Sequence, residues 1–160
     1  MTKRLEAIKL LILDVDGTLT DGGVYVTEEG TQFKKYNAKD GLGIRELVKT
    51  GVEVGIISHS MVSEMVMTRA NALGIQNCYV GMEDKLVVLD EWCERLNIDR
   101  KEIAYIGDDV NDLSIMRAVG TSACPADSHE KILAVADIVL KKNGGQGAVR
   151  EFIDEYLPFD

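Results

Sequence analysis

The sequence predicts an α/β protein with a doubly wound, mostly parallel sheet and a small β-hairpin inserted after the first strand. Short apolar runs rich in β-branched residues alternate with longer segments of helical periodicity. This alternation is typical of parallel strands connected by helices. One region breaks it, because two short β-prone segments follow each other with only a glycine-containing turn between them.

Six apolar runs are predicted to be strands, because nearly continuous apolar character suits a strand that is covered on both faces. They are Ile8–Val15, Val52–Ser58, Asn77–Gly81, Ile103–Gly107, Thr121–Cys124 and Asp137–Leu140. Helices are predicted at Asp84–Leu96, whose apolar residues repeat at spacings of three and four, and at Gly147–Leu157. Asp99 and Glu102 have the spacing of a capped turn before the fourth run.

The predicted hairpin pairs Val24–Thr27 with Thr31–Tyr36, and Gly30 supplies the turn conformation that other residues resist. Because it directly follows the first strand, the hairpin should overhang the carboxyl edge of the sheet, where open α/β folds bind their ligands. The chain contains no linker, low-complexity tract or internal repeat. Residues 1–160 are therefore predicted to form one domain.

Composition and charge restrict the function. The 46% hydrophobic and 28% charged residues are typical of a soluble globular protein. The 27 acidic and 18 basic residues leave a net charge of −9, which repels nucleic acids and anionic membranes, so neither is expected as a partner. The cysteines, Cys78, Cys93 and Cys124, are scattered, and no apolar stretch reaches the length of a membrane span. A reducing, cytoplasmic location is expected.

Acidic residues interrupt the apolar runs at their carboxyl ends. Asp14 and Asp16 end the first run, and Asp108, Asp109 and Asp112 follow the fourth. In a parallel sheet Asp14, Asp16 and Asp108 would gather at one edge roughly 5 Å apart, where each like-charged pair costs about 3 kcal/mol at an effective dielectric constant near 20. A cation must offset this repulsion, and oxygen ligands without nearby His or Cys favour Mg²⁺.

These carboxylates suit phosphoryl transfer. Asp14 would attack phosphorus and form an aspartyl-phosphate, while Asp16 would protonate the leaving alkoxide and later accept a proton from water. The hydroxyl of Ser58, which ends the second run, and the ammonium of Lys85, which opens a predicted helix, are the groups needed to hold phosphoryl oxygens.

Four separated motifs resemble those of the haloacid dehalogenase-like phosphatases. They follow the family's order, as Asp14-Val15-Asp16-Gly17-Thr18, Ser58, Lys85 and Gly107-Asp108-Asp109-Val110-Asn111-Asp112. The resemblance covers almost the whole chain and implies a Rossmann-like fold of this family. It also implies that Asp14 is nucleophile and metal ligand, that Asp16 is the acid/base and binds the metal through its carbonyl, and that Asp108 is a ligand. Asp109 and Asp112 would orient the metal shell.

Two further segments, Asp40–Ile44 and Gly144–Glu151, are similar to the small capless branch that hydrolyses 3-deoxy-D-manno-octulosonate 8-phosphate. This similarity implies a sugar-acid phosphate as substrate and a role in lipopolysaccharide precursor synthesis. It also implies a homotetramer in which a neighbouring subunit covers each site. The hairpin region Val24–Tyr36 and the segment Gly144–Glu151 would contribute to that cover.

The chain departs from this branch directly after Ser58. Those enzymes carry Gly-Arg where His59-Ser60 stands here, and one extra residue precedes Arg69. The missing arginine puts the sugar in doubt, because an arginine fork suits a sugar carboxylate. His59, Arg69 and Arg150 are candidate substrate-binding residues, in addition to the phosphate-binding pair already named.

Other functions share some of these features. The segment Asp84–Trp92 resembles the phosphatase-like domain of acylneuraminate cytidylyltransferases, so nine-carbon substrates, namely KDN or N-acylneuraminate 9-phosphate, are alternatives. A catalytically silent oligomerisation module is another, although the complete acidic set argues against it. Response-regulator receivers also combine an acidic Mg²⁺ site with a phospho-aspartate. Their acceptor lies two strands after the acidic pair, whereas the Asp14–Asp16 pair here ends the first strand.

Overall fold

The computed structural model describes residues 5–157 and contains one parallel sheet and one hairpin. The strands are β1 (Leu10–Leu13), β2 (Tyr25–Val26), β3 (Gln32–Phe33), β4 (Glu53–His59), β5 (Asn77–Gly81), β6 (Ile103–Ile106), β7 (Thr121–Cys124) and β8 (Ile138–Val139). Six of them form the parallel sheet in the order β5-β4-β1-β6-β7-β8, and β2 pairs with β3 in an antiparallel hairpin. The predicted doubly wound sheet with a hairpin insertion is confirmed.

Helices cover both faces of the sheet. They are α1 (Ala38–Lys49), α2 (Glu64–Leu73), α3 (Lys85–Leu96), α4 (Leu113–Ala118), α5 (Glu130–Leu133) and α6 (Ala148–Tyr156), with 3₁₀ turns at Arg100–Glu102 and Val110–Asp112. One core cluster joins α1, α2 and α6 to Leu11 and Leu13 of β1, and the other joins α3, α4 and α5 to Leu10 and Ile12. Alternate residues of β1 therefore enter opposite cores, which explains its continuous apolar run.

Strand order places a crevice at the centre of the sheet. Leu13 of β1 is opposite Ile56 of β4 and Ile106 of β6. From β1 the chain proceeds outward through β4 and β5 and then returns to the other side of β1 as β6. The switch point, where open α/β sheets bind ligands, thus lies between the carboxyl ends of β1 and β6.

The structure shortens several predicted elements without moving them. The hairpin strands contain two residues each, and all four of these residues are exposed. Asp99 and Glu102 form the expected reciprocal cap, here on a 3₁₀ turn. Within residues 5–157, none of the helices combines the length and the apolar character that crossing a bilayer requires.

Candidate active site

The turn after β1 brings Asp14 and Asp108 to the switch point. The Asp14 N–H donates to the carbonyl of Ile106 at 3.0 Å, and the chain then turns sharply. Gly17 has a φ of +86°, and a Cβ added there would lie 1.9 Å from Oδ2 of Asp108. Glycine is needed for both reasons. The Thr18 hydroxyl donates to Oδ1 of Asp108 at 3.5 Å.

Lys85 holds the cluster from the first turn of α3. Its buried ammonium donates to Oδ1 of Asp14 at 2.9 Å, to the Tyr105 hydroxyl at 2.9 Å and to Oδ1 of Asp112 at 2.7 Å. These acceptors occupy all three N–H groups of the ammonium. Burial alone would lower the pKa of Lys85, but the charges of Asp14 and Asp112 outweigh it and raise the pKa. Lys85 is therefore a fixed positive charge.

Asp112 is saturated with donors. Its Oδ1 accepts from Lys85 and from the Tyr105 hydroxyl, at 2.7 and 2.5 Å. Its Oδ2 accepts the N–H groups of Asp108 and Asp109 at 2.9 and 3.2 Å. With both oxygens engaged twice, this carboxylate orients Lys85 and the loop after β6, and it has little capacity left for a metal ion.

The cluster has the composition of a magnesium site. Oxygen atoms of Asp14, Asp108 and Asp112 lie within 4.8 Å of one another. Burial, followed by the charge of Asp112, raises the pKa of Asp14 to about 6, and the charge of Lys85 limits that rise. Burial and then the charge of Asp14 raise the pKa of Asp108 to about 9. Such crowding of hard oxygen donors calls for a divalent cation, so the residues present fit Mg²⁺.

Asp16 occupies a different position from the one expected of its carboxylate. The expected triplet was Asp14, Asp16 and Asp108, but the third carboxylate of the cluster is Asp112. Regular strand alternation ends at Leu13, and the following turn directs Asp16 toward the hairpin. There it accepts a hydrogen bond from Nζ of Lys34 at 2.6 Å.

Ser58, His59 and Asp109 lie at the same edge. Ser58 is buried near the end of β4, two residues beyond the Ile56–Leu13 pair. Nε2 of the next residue, His59, donates to the carbonyl of Glu83 at 2.6 Å, which ties the loops after β4 and β5 together. Asp109 is exposed and accepts the N–H of Val110 at 2.7 Å, so it caps the 3₁₀ turn.

Arg69 and Arg150 are not brought to the aspartate cluster. The Arg69 guanidinium lies 5.4 Å from the centre of the Tyr36 ring and packs against Gly41 of α1. Nε of Arg150 donates to both oxygens of Asp154 at 2.9 and 2.8 Å, one turn further along α6. Arg69 thus packs α2 on α1, and Arg150 also reaches α1, because its Nη1 donates to the carbonyl of Lys39 at 3.4 Å.

The glycine-rich loop before α6 supports the turn after β1. The Gly145 N–H donates to the carbonyl of Thr18 at 3.1 Å, and a Cβ on Gly144 would lie 1.8 Å from the carbonyl oxygen of Gly17. Glu151 is buried and accepts the N–H groups of Lys141 and Lys142. The Gly144–Glu151 segment therefore packs against this chain's own site.

Sequence reasoning missed two residues of the site, Lys34 and Tyr105. Lys34 lies in a hairpin segment whose sequence predicts exposed side chains, yet its own side chain is only 11% exposed. Tyr105 lies within an apolar strand run and counts there as a core residue. No spacing in this run distinguishes its hydroxyl from the core side chains around it.

Comparisons with known proteins identify the family of the chain. A family model described as haloacid dehalogenase-like hydrolase matches residues 79–153. The 3-deoxy-D-manno-octulosonate 8-phosphate phosphatase of Yersinia pestis is 41% identical over 155 residues, which are 97% of this chain and 82% of the relative. The chain belongs to this phosphatase family. The recognition of the family from its four motifs is therefore confirmed.

Solved phosphatases of the family share the fold. The Y. pestis crystal structure has a TM-score of 0.90 and 42% identity, and covers 92% of this chain and 80% of its own. The enzyme of Moraxella catarrhalis has a TM-score of 0.89 and 40% identity, covering 93% of this chain and 85% of its own. That structure is described as a complex with a magnesium ion, a phosphate ion and a KDO molecule. These relatives give no support to the nine-carbon alternatives or to a silent module.

Proposed function

We propose that this protein is a Mg²⁺-dependent phosphatase that hydrolyses 3-deoxy-D-manno-octulosonate 8-phosphate through an aspartyl-phosphate on Asp14. The observation that carries the proposal is the contact of Asp14 with the buried Lys85 ammonium beside Asp108, at the switch point of the sheet. The relatives add the substrate class, because they are phosphatases of this sugar acid.

Asp14 and Asp108 would hold the metal ion, with the backbone carbonyl of Asp16 as a third ligand. Their carboxylates have fewer hydrogen-bond donors than that of Asp112, and their raised pKa values reflect crowding that a cation relieves. When bound, Mg²⁺ would offset the charge of the phosphate dianion and of the attacking carboxylate. Asp109 and Asp112 would keep the loop after β6 in place.

Two aspartates would divide the chemistry. Asp14 attacks phosphorus, a P–O bond forms to its carboxylate, and the P–O bond to the sugar breaks. Asp16 gives a proton to the departing sugar oxygen. It then takes a proton from the water that attacks phosphorus, releasing phosphate and restoring the Asp14 carboxylate. Because Asp16 lies outside the cluster, it can act on the sugar side of the phosphorus.

Ser58 and Lys85 would bind the phosphoryl group in different ways. The Ser58 hydroxyl is buried beside the turn after β1 and would donate a hydrogen bond to a phosphoryl oxygen. Lys85 has its three N–H groups engaged. It would therefore contribute mainly its charge. His59, Arg69 and Arg150 stay sequence-based predictions of sugar contacts, and in this structure the two arginines contact Tyr36 and Asp154.

The exposed hairpin supports the proposed homotetramer. Tyr25 and Phe33 stack with ring centres 4.9 Å apart, and Val24, Val26 and Phe33 are more than half exposed. A contiguous exposed apolar surface of this kind marks a protein interface. A neighbouring subunit seated there would cover the open edge of the sheet. Light scattering of the purified protein should give four chains per particle, and Phe33→Lys should reduce that number.

The proposed cellular role is in the cytoplasm, in the synthesis of lipopolysaccharide precursors. The three cysteines are free thiols, which suits a reducing compartment. The net charge of −9 disfavours nucleic-acid and membrane partners. The substrate itself would be a soluble small molecule.

Phosphate release from a panel of sugar phosphates tests the function. The eight-carbon 8-phosphate should be hydrolysed faster than KDN or N-acylneuraminate 9-phosphate, and EDTA should stop the reaction until excess Mg²⁺ is added. Faster turnover of a nine-carbon substrate would replace the proposed sugar and keep the chemistry. A folded, Mg²⁺-binding protein without activity on any of them would support the silent module.

A further inference from the structure

We infer that Lys34 binds the carboxylate of the sugar acid, in an open cleft between the hairpin and α2, and thereby sets the preference for acidic sugars. This inference rests on the proposed function and names a residue of the same site. It starts from the ion pair that Lys34 makes with Asp16.

The cleft has the size and lining expected for a sugar. Its volume is about 370 Å³, and it is open on one side. It is lined by Phe33, Lys34, Tyr36, Glu64, Met65 and Thr68. The rings and the thioether offer apolar contact to the carbon skeleton, while a carboxylate and a hydroxyl can bind sugar hydroxyls.

Lys34 connects this cleft to the reacting groups. Its Nζ lies 2.6 Å from Oδ1 of Asp16, the proposed acid/base, although the side chain is only 11% exposed. An ammonium that is largely shielded from solvent and in contact with one carboxylate has two further N–H groups to donate. A sugar carboxylate could therefore bind to Lys34 while Asp16 keeps its own hydrogen bond.

The other cations near the site are committed elsewhere. Lys85 has all three N–H groups in use, on Asp14, Tyr105 and Asp112. Arg69 packs over Tyr36, and Arg150 pairs with Asp154. Among the basic side chains in residues 5–157, Lys34 is the one that both lines the cleft and contacts Asp16.

A comparison of two substrates tests the inference. Lys34→Met and its matched control Lys35→Met, an exposed neighbour in the same segment, are assayed on octulosonate 8-phosphate and on a neutral hexose 6-phosphate. The ratio of the two kcat/KM values should fall about 10- to 100-fold in Lys34→Met, because a hydrogen bond to a charged group is lost. The ratio should be unchanged in Lys35→Met.

An unchanged ratio in Lys34→Met, with an equal loss of kcat on both substrates, would overturn the inference and leave Lys34 as a positioning residue for Asp16. Lys34→Arg, which keeps the charge, should restore most of the preference. Absence of wild-type activity on octulosonate 8-phosphate would instead count against the proposed function.

A binding measurement separates recognition from catalysis. Free 3-deoxy-D-manno-octulosonate is titrated calorimetrically into Asp14→Asn, with and without the additional Lys34→Met change. The added change should weaken binding about 10-fold or more, and circular dichroism confirms that both proteins are folded. Equal affinities for the two proteins would exclude Lys34 as the carboxylate ligand.

Discussion

Asp14 and Asp40 are both buried and both have a pKa raised to about 6, but their surroundings differ. Asp14 lies among Asp108, Asp112 and Lys85 at the edge of the sheet. Asp40 lies in the first turn of α1, where Oδ1 accepts the Arg150 N–H at the start of α6 at 2.8 Å, and Oδ2 has no partner among the described residues.

The difference shows what a raised pKa means in each place. Around Asp40 burial opposes ionisation, and backbone N–H groups at the start of α6 partly offset it. Around Asp14 burial is reinforced by the charge of Asp112 and offset by Lys85, and Asp108 is raised further, to about 9. Asp40 therefore joins two helices, whereas Asp14 belongs to a cluster that needs a cation.

The largest expected effect is on turnover. Asp14→Asn should lower kcat by at least about 10³-fold, because an amide cannot form the acyl phosphate. Asp40→Asn, an identical change in an equally buried residue, should keep most of the activity. Phosphate release measured for both, after circular dichroism has shown that they are folded, checks the prediction. Equal losses in both variants would mean that the change of a buried carboxylate, and not the loss of a nucleophile, explains the effect of Asp14→Asn.

Magnesium should stabilise the cluster and leave Asp40 unaffected. At a Mg²⁺ concentration 100 times the Kd the stabilisation is about 2.7 kcal/mol, which corresponds to a rise in Tm of about 5–10 °C for a chain of this length. Asp108→Asn should lose this response and, without metal, melt above wild type, since one crowded carboxylate is gone. Asp40→Asn should keep the full response. Thermal melts with EDTA or Mg²⁺ make the comparison.

Asp40 should contribute a pH-dependent loss of stability. Its folded pKa of about 6 is above the ordinary 3.8, so the folded state holds this proton more tightly than the unfolded state. Stability from this group is therefore full below pH 4, falls as the pH rises to 6, and is lower by about 3 kcal/mol above that. Asp40→Asn should remove this slope. The difference between the wild-type and variant unfolding free energies from pH 4 to 7 measures it.

A flat difference over that range would show that the Arg150 N–H and the start of α6 hold the ionised carboxylate as well as water does. Asp40→Asn would then be less stable than wild type by the same amount at every pH. The metal-free wild type should also lose stability as the pH rises because of Asp108, whose pKa is raised by burial and by the charge of Asp14, and this loss should be unchanged in Asp40→Asn.

The sequence was sufficient for the strands and the four motifs, because both depend on local patterns. Apolar runs identified every strand of the sheet, and acidic residues at their ends identified Asp14 and Asp108. The sequence could not predict the direction of side chains beyond the end of a strand. The turn beyond Leu13 removes Asp16 from the cluster, and no periodicity describes that turn.

Contacts between residues that are far apart along the chain could not be predicted from the sequence either. Lys34 meets Asp16 only because the hairpin folds back over the turn, and a lysine in a hairpin is ordinarily solvated. Tyr105 contacts Lys85 through the packing of α3 on β6. Lysine and tyrosine are common residue types, and only the position of these two in the fold brings them to the site. Sequence motifs thus locate the reacting groups better than the groups that hold them.

The smallest expected effect concerns Arg150. Its backbone N–H contacts Asp40, but its guanidinium pairs with Asp154. Arg150→Met keeps the backbone N–H that donates to Asp40 and the stem that packs on Gly43, and loses the partly exposed pair with Asp154. The cost should therefore be below about 1 kcal/mol, with the pH slope of Asp40 nearly unchanged. Urea unfolding at pH 5 and 7 measures both. The KM for octulosonate 8-phosphate, determined on the same variant, tests the sequence-based assignment of Arg150 to the substrate: a rise in KM without a loss of stability would support it, and an unchanged KM would contradict it.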